Sequence, residues 1–289
     1  MTATLHLVDA TYELFRAFFG APARKAPDGR EVGAVRGLLG TLLMMLKSEG
    51  ATHVACATDH VIRSFRNELW AGYKTEEGMA VDLASQFHLA EDLMRALGLV
   101  VWPMVEFEAD DALAAGVARF AKDAEKIFVC TVDKDLAQCV DGDRVVLVDR
   151  MRKKTTDEAG VVEKFGVRPA QIPDFLALVG DTADGYPGIA GFGKKTAATV
   201  VTAFGSIEEI PSDPARWPTG VRGAPNLAAT LDAAREHALL FKRLATLRRD
   251  VPLTERYEDL EWRGARPELR DRCEELGFKE LPARVHRWR

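Results

Sequence analysis

Glu106-Phe107-Glu108-Ala109-Asp110-Asp111 is the stretch that decides how this chain folds, and it holds four carboxylates in six residues. It runs into an apolar-periodic segment, 112–120, which predicts a helix with acids in its first turn. Acids at a helix start complement the helix dipole, but two like charges about 4 Å apart repel by roughly 4 kcal/mol at an effective dielectric of about 20. A divalent cation would turn that repulsion into binding, because such ions take oxygen ligands. The stretch therefore predicts either a charged helix start or a metal site.

Three apolar runs outside this stretch each end at an aspartate. The runs cover residues 5–8, 52–58 and 127–132, and the acids that follow them are Asp9, Asp59, Asp133 and Asp135. Strands that alternate with helices predict an α/β fold with a mostly parallel central sheet flanked by helices, in which ligands bind beyond the carboxyl ends of the strands. A single aspartate at such an end is usually a turn residue or a helix cap. Three of them beside an acidic helix start favour a cation site on one edge of the sheet.

Length and composition exclude several classes of protein. The 289 residues are 47% hydrophobic with a formal net charge of −5, which argues against binding nucleic acid through bulk positive charge. The four cysteines show no CxxC spacing and predict reduced core residues of a cytoplasmic protein, and the six histidines are too scattered to predict a zinc site. The longest apolar stretch, 38–46, is too short to span a membrane, and no signal peptide is visible.

Basic side chains alternate with aromatic ones in residues 63–78, which follow closely after Asp59. This composition suits phosphate contacts and base stacking, and we expect Arg66, Tyr73 and Lys74 to make them. An ordinary solvated loop would have the same composition. The location beside Asp59 is what favours the binding interpretation.

A second candidate site follows the acids Asp181 and Asp184. The segment 187–196 comes close to the nucleotide-binding pattern GxxxxGK[ST], but Lys195 occupies the hydroxyl position and no strand precedes the segment. We favour a helix–hairpin–helix, whose glycine amides and lysines would hold a phosphate at the start of the next helix. The residues concerned are Gly188, Gly191, Gly193, Lys194 and Lys195. A tight turn between packed helices would explain the glycines but not the paired lysines.

These motifs, in this order, resemble the 5′-nuclease (flap endonuclease) family, and most of all the 5′→3′ exonuclease domain of bacterial DNA polymerase I and its stand-alone relatives. The resemblance lies in Asp9, Asp59 with Phe65-Arg66 and Tyr73-Lys74, Glu108-Ala109-Asp110-Asp111, Asp133-Lys134-Asp135, Gly180 to Asp184, and Gly193-Lys194-Lys195. It covers nearly the whole chain. No polymerase segment follows, so we expect a stand-alone nuclease.

The resemblance implies a two-metal phosphodiester hydrolase that acts on DNA with 5′ ends, flaps or nicks in replication or repair. The metal-binding residues that it implies are Asp9, Asp59, Glu108, Asp110, Asp111, Asp133, Asp135, Asp181 and Asp184. Asp110 would serve both Mg²⁺ or Mn²⁺ ions, one with the acids of the first two strands and one with those of the third. Arg66 and Lys74 would act in catalysis by orienting the 5′ strand, and a K⁺ ion is implied at the hairpin.

We expect two domains, a catalytic α/β domain at residues 1–166 with a helical arch at about 63–82, and a helical region at 167–289 with the helix–hairpin–helix at about 172–205. The expected protein is a cytoplasmic monomer with no membrane segment and no nucleotide cofactor. Two alternatives stay open. One is a non-catalytic DNA-binding scaffold that keeps the fold, and the other is an RNA-cleaving nuclease of the PIN type, which should lack the hairpin and the long helical region.

Three positions depart from the family pattern. Ala10 follows the first aspartate where glycine is usual, and Gly185 follows the last one where asparagine is usual. In the arch, Tyr73-Lys74-Thr75-Glu76-Glu77 ends on an acid where a basic residue is usual. The acid at Glu77 predicts weaker handling of free 5′ strands and leaves the metal site untouched.

Overall fold

The computed structural model describes residues 4–289 of the chain. Its strands are β1 (Thr4–Asp9), β2 (His53–Asp59), β3 (Val100–Met104), β4 (Lys126–Cys130), β5 (Val145–Asp149) and β6 (Lys154–Thr156). Its α-helices are α1 (Ala10–Gly20), α2 (Gly33–Ser48), α3 (Arg66–Leu69), α4 (Val81–Ala84), α5 (Phe87–Ala96), α6 (Ala109–Phe120), α7 (Glu158–Phe165), α8 (Ile172–Val179), α9 (Lys194–Phe204), α10 (Ala224–Ala233), α11 (Arg235–Ala245), α12 (Glu268–Glu275) and α13 (Leu281–Arg284). Short 3₁₀ helices lie at Asp135–Cys139, Pro169–Gln171, Ile207–Glu209, Pro214–Arg216 and Tyr257–Leu260. No helix within residues 4–289 has both the length and the apolar character that crossing a bilayer requires.

The chain forms two compact units, each assembled from separate segments. Of the described residues, the first unit holds 4–62, 76–131 and 248–289, and the second holds 63–75 and 132–247. Each unit contains residues from both sides of the domain boundary predicted between 166 and 167. The division into residues 1–166 and 167–289 therefore stays a prediction.

A parallel sheet in the order β3-β2-β1-β4 forms the centre of the first unit. In its register Val8 lies opposite Cys56 on one side and Cys130 on the other, and Asp9 lies opposite Ala57. Helices α1, α5 and α6 contact these strands. The residues of β1 and β2 are almost all buried, which is why these strands read as continuous apolar runs rather than alternating ones. The predicted α/β class with a mostly parallel sheet is confirmed.

The second unit is mainly helical, with α8 packed against α11 and α9. Its strands β5 and β6 form an antiparallel pair. The sequence of residues 155–166 predicts one helix, but the first of these residues belong to β6, and α7 begins only after Asp157. The Asp157 side chain accepts the backbone N–H of Gly160 at 2.8 Å, and this cap sets the start of α7.

Two helices that the sequence predicts as continuous are broken. The helix predicted at 81–97 divides into α4 and α5 at a turn over residues 85–86. The buried side chain of Gln86 lies at this turn and accepts the backbone N–H of Val35 at 3.1 Å. The helix predicted at 226–247 divides into α10 and α11 at Ala234, whose φ of −113° and ψ of 16° are not helical. Apolar periodicity alone does not encode either break.

The segment predicted as a helical arch, about 63–82, contains little helix. Only α3 and the first residues of α4 are helical, and turns fill most of the chain between them. Gly78 has a φ of +81°, which a right-handed helix does not allow. The helical part of this prediction is corrected to a turn-rich segment.

Candidate metal centre

The acidic stretch at the start of α6 is a helix cap as well as a cluster of charges. Glu108 is the N-cap residue, and its backbone N–H donates to Oδ2 of Asp111 at 3.0 Å in a capping box. Oδ1 of Asp111 accepts the backbone N–H of Arg248 at 2.9 Å, and Asp111 is fully buried. These bonds fix the position of the Asp111 side chain, and its role as a metal ligand stays a prediction.

The ends of β1 and β2 bring Asp9 and Asp59 to one edge of the parallel sheet. Oδ1 of Asp9 accepts the backbone N–H of Tyr12 at 2.8 Å, and Oδ2 accepts the hydroxyl of Thr131 at 2.9 Å. Oδ1 of Asp59 accepts the backbone N–H of Ala109 at 2.8 Å, which fixes the end of β2 against the start of α6. Each carboxylate oxygen can take a second partner, so these bonds orient the side chains without excluding a cation.

Asp9, Asp59, Glu108 and Asp110 make up what we call the first acidic group. Glu108 is 3% exposed, whereas Asp110, the second residue of α6, is partly exposed. The sheet register and the bond between Asp59 and Ala109 bring the strand ends and the helix start to the same edge. This is the edge at which the strand-end aspartates predict a cation site.

Asp133, Asp135, Asp181 and Asp184 form the second acidic group, which lies within the second unit. Carboxylate oxygens of Asp135, Asp181 and Asp184 lie within 4.8 Å of one another. Oδ1 of Asp133 accepts the backbone N–H of Asp135 at 2.8 Å, and Oδ1 of Asp181 accepts that of Ala183 at 3.0 Å. Oδ1 of Asp135 is buried and has no hydrogen-bond partner among residues 4–289. Because buried polar atoms normally have partners, this oxygen is the strongest local indication of a bound cation.

Electrostatics in the second acidic group also favour a cation. Burial, and then the charges of Asp133 and Asp184, raise the pKa of Asp135 well above its ordinary value. Lys134 supplies one positive charge, because its ammonium group pairs with Oδ2 of Asp181. Burial opposes the charge of Lys134, but the bond to Asp181 and the other aspartates outweigh it and raise the pKa of this lysine. The ammonium groups of Lys134 and Lys74 among four carboxylates still leave more negative than positive groups, and oxygen donors of this kind suit a divalent cation.

Arg66 and Tyr73, two predicted DNA contacts, are buried in the folded chain. Arg66 is 1% exposed, its Nε donates to the carbonyl oxygen of Leu244 at 2.8 Å, and its Nη2 donates to that of Thr246 at 3.3 Å. Tyr73 is 3% exposed. This burial corrects the prediction of direct DNA contacts for both residues, because neither side chain is presented to a strand.

Lys74, the third predicted contact in this segment, reaches the second acidic group. Its Nζ lies 3.1 Å from Oδ1 of Asp184, and its backbone N–H donates to the Asp184 carbonyl at 3.1 Å. Nε1 of Trp70 donates to the carbonyl of Gly185 at 3.0 Å. A Cβ atom on Gly185, whose φ is +82°, would lie 2.0 Å from the carbonyl oxygen of Gly72. This close approach explains why glycine replaces the usual asparagine after the last aspartate.

The predicted hairpin is a tight turn that leads into α9. Gly188 has a φ of +71°, and a Cβ atom there would lie 2.3 Å from the backbone nitrogen of the residue that caps α8. Gly191 also has a positive φ, of +86°. Gly193 is the N-cap of α9, and Lys194 and Lys195 begin the helix with exposed side chains. Open backbone amides and two exposed ammonium groups are thus present at one helix start.

A cavity of about 380 Å³ connects this hairpin with the second acidic group. Lys134, Lys164, Asp181 and Lys194 are among the residues that line it. Burial lowers the pKa of Lys164, and the positive charges of Lys154, Lys134 and Lys194 lower it further. No motif marks Lys164, because a lysine in the last turn of a helix is common for its favourable interaction with the helix dipole.

Comparison with known proteins adds two family matches that together span most of the chain. Residues 4–166 match the family described as 5′-3′ exonuclease, N-terminal resolvase-like domain. Residues 167–268 match the one described as 5′-3′ exonuclease, C-terminal SAM fold.

Curated relatives agree with these matches. The 5′-3′ exonuclease of Aquifex aeolicus is 30% identical over 282 residues, which cover 96% of this chain and 93% of that protein. DNA polymerase I of Pseudomonas aeruginosa is 39% identical over 261 residues, which cover 87% of this chain. The match spans only 28% of the length of that polymerase.

A solved structure shows the same fold at low sequence identity. The bacteriophage T5 flap endonuclease, solved as a pseudo-enzyme-product complex with DNA and metal ions, is 19% identical with a TM-score of 0.68. The match covers 97% of this chain and 96% of the phage protein.

Proposed function

Because the chain belongs to the 5′-3′ exonuclease family, we propose that it is a structure-specific 5′ nuclease that hydrolyses phosphodiester bonds near the 5′ ends of DNA. The observation that carries the proposal is the buried Oδ1 of Asp135, which has no hydrogen-bond partner within residues 4–289 and lies in a net negative group. Flaps and nicks are the DNA forms that we propose as substrates, in replication or repair.

Each acidic group suits one divalent ion, since both offer oxygen donors alone. The residues that would hold the ions are Asp9, Asp59 and Asp110 in the first group and Asp133, Asp135, Asp181 and Asp184 in the second, with Glu108 acting through water. Bound there, Mg²⁺ or Mn²⁺ would activate the attacking water and neutralise charge on the scissile phosphate. The family relationship and the net negative charge of the second group support this assignment.

Two lysines hold carboxylates of the second acidic group in place. Lys134 pairs with Asp181, and Lys74 pairs with Asp184. Their side chains are each about one third exposed, so they can also face a phosphate at the rim of the site. We propose that Lys74 orients the 5′ strand and that Arg66, which is buried, only positions this segment.

The hairpin offers contacts to the DNA backbone that do not depend on the base sequence. Backbone amides at the start of α9 and the exposed side chains of Lys194 and Lys195 suit two phosphates of a duplex backbone. We also propose a K⁺ ion at this turn, as the family resemblance implies. The cavity beside Asp181 gives a basic path from the hairpin toward the carboxylates.

The proposal is tested with separately labelled 5′-flap and nicked duplexes, each incubated with Mg²⁺, Mn²⁺ or EDTA. Cleavage near the 5′ end in both metals, and none in EDTA, is expected. Binding of both duplexes without cleavage in either metal would mean a scaffold. Cleavage confined to single-stranded RNA would point to the PIN-type alternative.

The hairpin lysines are expected to control the salt dependence of DNA binding. Lys194→Ala combined with Lys195→Ala should reduce the slope of log Kd against log salt by about one or two units, because roughly that number of phosphate contacts is lost. Affinity should fall about equally for unrelated DNA sequences. Fluorescence anisotropy over a salt series measures the slope. Lys47→Ala with Lys122→Ala removes two exposed lysines of the first unit as a matched control, and an unchanged slope in the hairpin variant would show that the hairpin is only a structural turn.

The acids of the turn-rich segment are expected to affect substrate choice. Glu76 and Glu77 are exposed and follow Lys74 closely along the chain, so they weaken the local attraction for a free 5′ strand. Glu77→Arg should raise cleavage of long flaps at low salt and leave cleavage at a nick nearly unchanged, since exposed charges are screened over about 8–10 Å at ordinary salt. Initial rates on the two substrates measure this. Glu274→Arg makes the same charge change on α12, and equal responses of both substrates to Glu77→Arg would contradict the argument.

The remaining proposals concern where and how the protein acts. The four cysteines are free and buried, which fits a reducing compartment, and we propose a cytoplasmic location. We also propose that the protein acts as a monomer and uses no nucleotide cofactor.

A further inference from the structure

His60, His88 and Glu91 converge beside the carboxyl end of β2, although they are far apart in sequence. His60 follows the last residue of β2, whereas His88 and Glu91 lie one turn apart on α5. Each of the three offers one ligand atom, and these atoms lie within 4.8 Å of one another. We propose that the three side chains bind a divalent transition-metal ion, with Zn²⁺ as the best fit, at a site distinct from both acidic groups.

The distances are close to those of a metal site. Nδ1 of His60 lies 3.1 Å from Oε1 of Glu91 and 3.0 Å from Oε2. In a tetrahedral zinc site with bonds of about 2.0–2.1 Å, neighbouring ligand atoms are roughly 3.3–3.4 Å apart. The ring centroids of His60 and His88 are 4.3 Å apart, with the planes tilted by 54°. Closing the site requires the ligand atoms, already within 4.8 Å of one another, to approach by rotation of the partly exposed His60 and the exposed His88.

Burial and charge at the site also favour a cation. Glu91 is only 2% exposed, and its neighbours are the hydroxyl of Thr58 at 2.9 Å, His60, and the guanidinium of Arg95 at 3.6 Å. Arg95 is shared with Asp92, also at 3.6 Å, so its charge is not committed to Glu91 alone. A carboxylate only accepts hydrogen bonds, so Nδ1 of His60 carries the proton between the two groups. The proposed ion takes the place of that proton.

Access and ligand type determine which ion fits. His88 is exposed and the His60 side chain is 34% exposed, so an ion can enter from solvent. Two imidazoles and one carboxylate suit Zn²⁺ and similar transition metals, whereas Mg²⁺ prefers oxygen donors. The spacing of the histidines along the chain predicted no zinc site, because the convergence comes from packing α5 beside the end of β2. Binding would tie α5 to the residue next to Asp59.

The test is zinc titration of the full chain in a large excess of Mg²⁺, which fills sites made of oxygen donors. Wild-type protein should bind one Zn²⁺ ion with micromolar affinity by calorimetry, and thermal unfolding should shift upward by about 5 °C at saturating zinc. His88→Ala should weaken binding at least tenfold and remove the shift. His88 is exposed, so this variant is expected to fold. His286→Ala, which removes another exposed histidine with an aromatic neighbour, should behave as wild type.

Two results would overturn the proposal. One is that the wild-type protein binds no Zn²⁺ in excess Mg²⁺. The other is equal zinc affinity and an equal thermal shift in wild type and His88→Ala, which would assign the ion to the acidic groups. Neither result depends on nuclease activity, so the proposed function can fail or hold independently.

Discussion

Replacing Asp135 with asparagine is expected to lower DNA cleavage by about three orders of magnitude while making the metal-free protein more stable. The loss of rate corresponds to about 4 kcal/mol of transition-state stabilisation, a magnitude typical of metal-dependent hydrolysis. The gain in stability follows from the site itself. Asp135 is buried among other carboxylates, and asparagine keeps its shape without its charge. Activity and stability should therefore change in opposite directions.

The pH dependence of stability gives a second measurement on the same variant. Burial and neighbouring carboxylates raise the pKa of Asp135 in the folded chain, so the native state binds more protons than the unfolded state does between the two pKa values. In EDTA, wild-type stability should consequently fall as pH rises from the unfolded pKa through the folded one. Asp135→Asn removes this contribution, and its stability should decline less over that range.

Thermal unfolding in EDTA and in Mg²⁺, combined with cleavage assays, tests both the loss of cleavage and the gain in metal-free stability. Mg²⁺ should raise the unfolding temperature of wild type more than that of Asp135→Asn, because the variant has lost a ligand. Asp143→Asn is the matched control, since it removes an exposed aspartate of the same unit. Wild-type turnover in purified Asp135→Asn, or a metal-free variant less stable than wild type, would refute the assignment.

The sequence predicted the framework of the site because its signals are local. The apolar runs of β1 and β2 end at Asp9 and Asp59, and parallel strands bring their carboxyl ends to a common edge. The acidic stretch does begin a helix, α6. In each case periodicity and the residue at the end of a run were sufficient.

Sequence could not distinguish the surroundings of adjacent acids within the same motif. Asp110 and Asp111 are adjacent and chemically identical, yet Asp111 is fully buried against backbone amides whereas Asp110 stays partly exposed. The distinction depends on Arg248, which lies 137 residues further along the chain and donates its backbone N–H to Asp111. Lys134 is a similar case, because its pairing with Asp181 joins two separate motifs.

The same limit explains the errors in the segment after Asp59. The alternation of basic and aromatic side chains suggested a surface that faces DNA, but Arg66 and Tyr73 are buried. The partners that bury Arg66 include the carbonyls of Leu244 and Thr246, at the end of α11. No local pattern around residue 66 predicts a bond to residues so distant in sequence.

Arg66 is therefore expected to determine stability directly and activity only through the position of its segment. Arg66→Ala should lower the free energy of unfolding by about 3 kcal/mol, because the carbonyl oxygens of Leu244 and Thr246 lose a donor and the buried side chain leaves a gap. Arg66→Lys should lose more than half as much, since one ammonium group cannot reproduce the forked guanidinium. Urea denaturation measures both losses.

The lysine variant separates this role from a direct phosphate contact. A phosphate would accept lysine in place of arginine, so a DNA-binding Arg66 predicts that Arg66→Lys keeps wild-type stability and wild-type salt dependence. A positioning Arg66 predicts a clear loss of stability in Arg66→Lys, with an unchanged salt slope for the folded protein at low temperature. Arg63→Lys, at an exposed arginine three residues earlier, should change stability by no more than about 0.5 kcal/mol. Because Arg66 anchors α3 near α11, any fall in cleavage should accompany displacement of Lys74 from Asp184, which the loss of the 3.1 Å contact in a variant structure would reveal.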